Sequence, residues 1–278
     1  MIRIPSLNRR AALAALAFSL AAGALYAPPS VATSGDAALD AVLSGEWRGA
    51  EQKSRDAQRR PAEALAFWGL KPGASILEVQ PGGDGWWTQI LAPYAARTGG
   101  RFAATAPDLT NPSITPAARE MRSAFEQKFA DAARYGKVEL VNWGMTAPPL
   151  PENAYDFILV SRSVHGWMRQ DGMVERNFAQ LARGLKPGGS LAIEAHRANP
   201  GPQDPKAANG YVTEAYVIEQ AQKAGLKLAA KSELNANPKD TKDHPFGVWT
   251  LPPTRTTVPY GSGKPADPSF DRTKYDAI

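Results

Sequence analysis

The sequence predicts an α/β fold: a doubly wound, mostly parallel seven-stranded sheet with helices on both faces. Three observations predict it. A helix feeding a strand through Gly-Leu-Lys-Pro-Gly occurs twice, at residues 69–73 and 184–188. The run AYDFILVSRSV, Ala154 to Val164, is apolar enough for a strand buried on both faces. Strand-like and helix-like periods alternate along the chain, the pattern of parallel sheets joined by helical crossovers.

Residues 1–32 read as a signal peptide and leader. A short basic stretch, MIRIPSLNRR, precedes the apolar run Ala11 to Ala27, and small residues allow cleavage after Ala24, Ala27 or Ala32. "NRRAAL" loosely fits a twin-arginine signal, which exports an already folded chain. An uncleaved anchor is the alternative, although the run lies at the short end of what crosses a bilayer. The expected location is therefore the periplasm, with no membrane partner once the leader is removed. The leader carries three arginines and no acid, so the formal net charge of +5 falls to +2 without it. No long basic block remains, which argues against nucleic acid as a partner. The chain has no cysteine, so thiol chemistry and cysteine metal sites are excluded.

Residues 33–54 are small and polar and read as a flexible N-terminal segment. The main domain spans 55–252. Pro61 suits a first helical position, Leu65 and Trp68 share a face, and Gly69 suits the helix end. Ser75 to Val79 is the first strand, and Gly82, Gly83 and Gly85 lead from it into a helix. Residues 99–107 give the second strand. Thr115 and Pro116 open a helix in which Met121, Phe125 and Phe129 stack four apart, with Gly136 as its end. Residues 137–144 are the third strand and 154–164 the fourth. Asp171 can cap a helix whose Val174, Phe178, Leu181 and Leu185 follow one face, and Leu191 to Ala195 is the fifth strand. Val212 to Ala224 is helical, GLKLAAKSEL at 225–234 a sixth strand, and FGVWTLPP at 246–253 a seventh. Residues 253–278 form an irregular tail rich in Pro, Gly, Ser and charge.

In such a sheet, ligands sit at the carboxyl ends of the strands, where the first strand-to-helix turn presents backbone N–H groups. The glycine cluster lies there. The strand order, Glu78 within the first strand, LKPGG before the fifth and the terminal pair of strands together resemble a class I S-adenosylmethionine-dependent methyltransferase, over about Arg55 to Pro252. More narrowly, EVQPGGDGWWTQILAPY, SRSVHGW, EAHRA and NPKDTKDHPF resemble a group of exported methyltransferase-like proteins. The resemblance implies a Rossmann-like fold whose last strand is antiparallel, S-adenosyl-L-methionine as cofactor, and a small-molecule acceptor. It places Glu78, Gln80, Gly82 and Gly83 against the methionine moiety, Asp108 on the ribose, Trp143 with Gly144 at the adenine, and Ser161 to His165 at the acceptor. Gln80 and Asp84 stand where that family usually carries glycine. Either the Gln80 side chain occupies cofactor space, or the PGG turn reaches the same shape with an inserted residue. The rival reading is a non-catalytic binding or sensor protein on the same scaffold.

All three histidines lie at predicted strand ends. His165 and His196, past the fourth and fifth strands, are candidates to face one cleft, with His165 as general base and Arg162 as a clamp on an acidic group. A histidine hydrogen-bonded within a loop is the plain alternative for each. No H-E-x-x-H or close histidine pair occurs, so no metal is expected. The absence of G-x-S-x-G argues against an α/β-hydrolase. Trp86, Trp87 and Trp167 serve either to stack on a planar ligand or simply to pack.

Overall fold

The computed structural model describes residues 35–276 and Ile278. The signal peptide assigned to residues 1–32 lies outside them. Within the segment read as flexible, residues 37–43 and 50–53 are helical. Asp36 caps α1 (Ala37–Leu43) by accepting the Ala38 N–H at 2.9 Å. Leu39, Val42 and Leu43 then share one buried face. α2 (Ala50–Lys53) and α3 (Asp56–Arg59) follow, fixed by Arg48. That side chain is almost fully buried and forks onto both Asp56 oxygens at 2.6 and 2.8 Å.

After α4 (Pro61–Trp68) the sheet begins. It contains β1 (Ser75–Val79), β2 (Arg101–Pro107), β3 (Val138–Trp143), β4 (Tyr155–Ser161) and β5 (Leu185–Glu194), in the order β3-β2-β1-β4-β5, all parallel. Alternate residues feed two cores. Ile76, Phe102, Phe157 and Leu159 pack with α1, α4 and α5 (Thr88–Thr98). Leu77, Val79, Ile158 and Val160 face the other way, toward α9 (Met173–Gly184) and α10 (Glu214–Lys223). Each such side chain fully removed from water contributes about 1.5–3 kcal/mol, so the period-two alternation holds both layers onto one sheet.

Pro93 lies inside α5, where its missing N–H leaves the Gln89 carbonyl without its helical donor. The Trp47 indole N–H supplies the replacement at 3.0 Å. The helix expected to run from Thr115 to Gly136 is two helices, α6 (Pro116–Lys128) and α7 (Ala132–Tyr135), the second capped by Asp131. α8 (Val164–Trp167) is one turn past β4.

The seven-stranded expectation is corrected to five strands, and the antiparallel last strand is not formed. Among the described residues, 225–234 contain no strand. Leu226 and Leu234 are only partly buried, and Leu228, Ala229 and Ala230 are exposed. In the expected seventh strand Gly247 adopts φ +61, its backbone pressed against the Asn209 carbonyl, and a 3-10 turn follows (Gly247–Thr250). Val248 and Trp249 pack on Tyr211 rather than on the sheet. Beyond β5 the ladder continues only as a bridge between Arg197 and Val212.

Candidate active site

The chain runs outward from β1 to β3, then returns to place β4 beside β1, so the two strand ends part at a crevice. Both strands end in a left-handed residue that bears a side chain, Gln80 at φ +50 and Arg162 at φ +56. Such a backbone costs about 1–2 kcal/mol per residue. Each is tied down: the Gln80 N–H donates to Thr105 Oγ1 at 2.7 Å, and the Arg162 N–H to the Glu194 carbonyl at 2.7 Å. Strain held in this way at adjoining strand ends marks a site.

Between them lies a notch whose wall includes Glu78, Gln80, Gly82, Trp87, Ser161 and Arg162. Glu78 is buried and accepts the Thr88 hydroxyl at 2.7 Å. Burial pushes its carboxyl up to about 8, with Asp84 adding to the effect, so it holds a proton at neutral pH. The glycines of the turn have different reasons to be glycine. Gly85 has φ +57, and a Cβ there would meet the Phe129 ring at 2.4 Å, so its role is conformational and steric. Gly83 faces open space, with nothing within 4 Å of an added Cβ, and at Gly82 only Asp84 Oδ1 comes near, at 3.3 Å. Within the turn the Gly85 N–H is spent on the Gly82 carbonyl. Among the described residues, the N–H groups of Gly82, Gly83 and Asp84 donate to no protein acceptor. An open glycine surface edged with free donors is what an anionic or acceptor-bearing ligand needs.

The N-terminal helices cover this notch. Arg55 pairs with Asp84 at 2.8 Å, the Trp86 indole N–H donates to the Gln52 carbonyl at 2.9 Å, and the Arg59 guanidinium lies 4.4 Å from the Trp86 ring centre. Burial first, then Arg162, lowers Arg59 to about 10. Glu194, at the end of β5, offsets this positive charge. Its Oε2 accepts from the Ser161 hydroxyl at 2.6 Å and from the Trp87 indole at 3.4 Å. The cavity there is about 10 Å³, room for about one water and far below the roughly 300–1,000 Å³ in which ligand pockets usually fall. A nucleoside-sized ligand requires its walls to part.

At the mouths of β4 and β5 the chemistry changes. His165, on α8, and His196, just past β5, have ring centres 6.3 Å apart. Burial, then Arg169 and Arg162, lowers His165 to about 4. His196 is lowered to about 3 by burial, then by Arg162 and His165. Both imidazoles are therefore neutral at pH 7. The Trp249 ring meets His165 edge-on at 5.7 Å and is itself stacked on Tyr260 at 4.7 Å. His244 stands apart, with Nε2 2.8 Å from Asp240 Oδ1; the same carboxylate accepts from the Tyr211 hydroxyl.

The structure thus brings together Glu78, Gln80, Gly82, Ser161 and Arg162 at the notch, with Gly83 on the same turn outside its lining and with the Arg162 charge acting on both His165 and His196. Asp108 and Trp143 stand elsewhere, at the ends of β2 and β3 and outside the notch lining. The Asp108 carboxylate is buried and already accepts the Thr110 N–H and hydroxyl at 2.9 and 2.6 Å, which hold it below the usual carboxylate range. Sequence reasoning missed Arg55 and Arg59, which stand at the start of the expected domain, ahead of its first assigned helix, where no motif singles them out. It also missed the contact between Gln80 and Trp167, since no local spacing joins residues 80 and 167.

Residues 79–193, from the last residue of β1 to the penultimate residue of β5, match the family model described as a methyltransferase domain. No curated protein matches the chain. Solved structures similar to it include a SAM-dependent methyltransferase from Aquifex aeolicus, at 21% identity and TM-score 0.45, covering 64% of this chain and 85% of that one. Human N-acetylserotonin methyltransferase in complex with SAM is similar at 15% identity and TM-score 0.43, over 70% of this chain and 51% of that one. Phosphoethanolamine N-methyltransferase 2 of Haemonchus contortus is similar at 16% identity and TM-score 0.41, over 60% and 36%. The chain thus spans about half of the length of the human protein and about a third of that from Haemonchus contortus.

Proposed function

We propose that this chain is an exported, periplasmic methyltransferase. It binds S-adenosyl-L-methionine at the turn after β1 and passes the methyl group to a small acceptor near His165. The observation that carries the reading is the methyltransferase-domain match, which begins at that turn and includes both strand ends of the crevice. The donor set supports it: Gly82 and Gly83 leave their space open, and the turn's N–H groups are unspent.

When bound, the cofactor supplies an electrophilic methyl group on a sulfonium. Everything else falls to the protein. The Gly82–Asp84 N–H groups would hold the acceptor atoms of the cofactor, and Trp86 and Trp87 exclude water from one side. A ring nitrogen of neutral His165 is free to take the proton that an acceptor hydroxyl or amine releases, and to return it to solvent afterwards. A base held near 4 is a weak one, so it suits an acceptor whose own proton is already acidic. Arg162 would face an anionic group on that acceptor. A twin-arginine leader would fit this arrangement, since a chain exported folded can carry its ligand with it.

Calorimetry on the protein without residues 1–32 tests the reading. Heat of binding with S-adenosylmethionine or S-adenosylhomocysteine is expected, and its absence at high protein concentration counts against the proposal. A second reading, a binding or sensor protein without transfer, is favoured by a notch of only about 10 Å³, in which Gln80 and Asp84 stand where the family usually carries glycine. Bound ligand without turnover of any acceptor in a broad panel would support it.

A further inference from the structure

We infer that the protein has a second ligand site, at the opposite end of the sheet from the crevice, built to take a small aromatic carboxylate. The cavity there measures about 190 Å³ and lies between α5, the start of β2 and the turn after α7. The length of β2, seven residues, separates it from the crevice edge by about 20 Å. The two sites share no residue, and the inference stands apart from the cofactor proposed above. Small side chains make the space. Ala92 and Ala95 line it from α5, a helix whose residues 88–95 are all buried. Gly136 brings α7 so near that an added Cβ would lie 2.7 Å from the Ala96 Cβ. That contact fixes the spacing of the two helices, and the alanines beside it leave the room. An unfilled space lowers stability in proportion to its volume, so one of this size points to an occupant. An apolar cavity of about 150 Å³ accepts a benzene ring, and 190 Å³ takes one ring with a small substituent.

The walls state the chemistry of that occupant. Phe102 and Tyr135 supply aromatic surface, and both are nearly fully buried. The Tyr135 hydroxyl has no hydrogen-bond partner among the described residues, although the residue is only 5% exposed. A buried phenol usually finds an acceptor. At the mouth stand Arg101 and Lys137, each paired with Glu139, at 3.1 and 3.2 Å. One carboxylate thus answers two cations. The Arg101 guanidinium spends only Nη2 on it, leaving Nη1 and Nε without an acceptor among the described residues. A matching ligand has a flat apolar body for the interior and an anionic acceptor for the hydroxyl and the surplus cation. A carboxylate on a single ring has both, whereas a cationic or purely apolar ring has only the body.

Three single-ring probes of like size, benzoate, benzyl alcohol and benzylamine, test this on the full chain. Calorimetry at millimolar probe should give benzoate the lowest Kd and benzyl alcohol one several-fold higher. Benzylamine should be weaker than benzoate by roughly tenfold or more, the equivalent of about 1.4 kcal/mol. In nitrogen–proton correlation spectra, benzoate should move the backbone amides of Gly100, Phe102 and Gly136 and leave those of Gly82 and Gly83 still. Ala95→Leu is the filling variant: with the space present it should keep or raise Tm and abolish benzoate binding. Arg101→Gln, at a largely exposed side chain, should weaken benzoate several-fold and leave benzyl alcohol unchanged. Benzylamine binding as tightly as benzoate, or amide shifts confined to the crevice, would overturn the inference. So would an Ala95→Leu chain that still binds benzoate or loses stability to overpacking, or a wild type that binds no probe. None of these outcomes depends on whether S-adenosylmethionine binds.

Discussion

The two halves of the crevice handle protons in opposite ways. At the end of β1 a buried carboxyl keeps its proton at neutral pH, and the surrounding turn offers backbone donors. At the ends of β4 and β5 two imidazoles have lost theirs, under the influence of Arg162 and Arg169. Burial is the first cause in both places. It neutralises an acid by adding a proton and a base by removing one, so the whole floor of the site carries little formal charge apart from its arginines and Glu194. The β1 half is shaped by backbone and glycine and is suited to hold a ligand. The β4–β5 half is shaped by side chains and is suited to accept a proton.

The largest expected effect falls on the β4–β5 half. His165→Ala should lower methyl transfer by about 10²–10⁴-fold, the usual worth of a general base, while cofactor Kd stays within about twofold. A variant that loses cofactor binding in parallel would move His165 from the acceptor half to the holding half. The glycines of the β1 turn should separate next. Gly85→Ala places a methyl group on the Phe129 ring in a φ +57 backbone and should cost about 2–4 kcal/mol in denaturant unfolding. Gly83→Ala meets open space and should leave stability within about 0.5 kcal/mol, yet weaken cofactor binding several-fold. If both variants lose stability alike, the Gly83 surface is structural and not a cradle.

Stability against pH follows from the same contrast. Glu78 has its carboxyl raised from 4.5 to about 8, so its contribution is fully present below pH 4.5 and is lost as pH rises through about 8. His165 and His196 are depressed from 6.5 to about 4 and about 3, so their contribution is present above pH 6.5 and is lost as pH falls through those values. From these three groups, thermal stability should peak near pH 6.5. Glu78→Gln should flatten the alkaline side and steepen the rise between pH 4.5 and 6.5, whereas His165→Asn should flatten the acid side alone, as read from Tm at half-unit steps.

How much of this was legible in the sequence depended on how local the cause was. The five strands were legible because β1 and β4 are runs of consecutive buried residues and the Gly-Leu-Lys-Pro-Gly punctuation repeats. The sixth and seventh were misread because short apolar alternation at 225–234 and 246–253 looks like a strand whether or not an edge is there to pair with it. In the seventh, Gly247 sits at φ +61 against the backbone of Asn209, 38 residues upstream, a contact invisible to local pattern. The glycine turn, Glu78 and the histidine pair were legible because they sit at strand ends, where topology alone dictates convergence. Asp108 was placed by its position after β2, but its partners, Thr110 and Thr146, occupy the oxygens a ligand would need. The α2–α3 cover escaped notice because its anchors are charged residues and carbonyls, Arg55, Arg59 and Gln52, which carry no periodic signal.

That cover provides the smallest expected effect and the finest contrast between the halves. The Arg55–Asp84 pair is partly exposed, with side chains 21% and 35% accessible, and such pairs are worth about 0–1 kcal/mol. Arg55→Ala should therefore change unfolding free energy by less than about 1 kcal/mol. The same contact bridges α2–α3 to the turn that narrows the notch, so its loss should speed nucleoside association several-fold in stopped-flow measurements. His165→Ala, distant from this contact, should leave the association rate unchanged. An Arg55 variant that binds at the wild-type rate would mean the cover opens elsewhere, and the Trp86–Gln52 hydrogen bond, with Arg59 against the same indole, would then be the contact that limits entry.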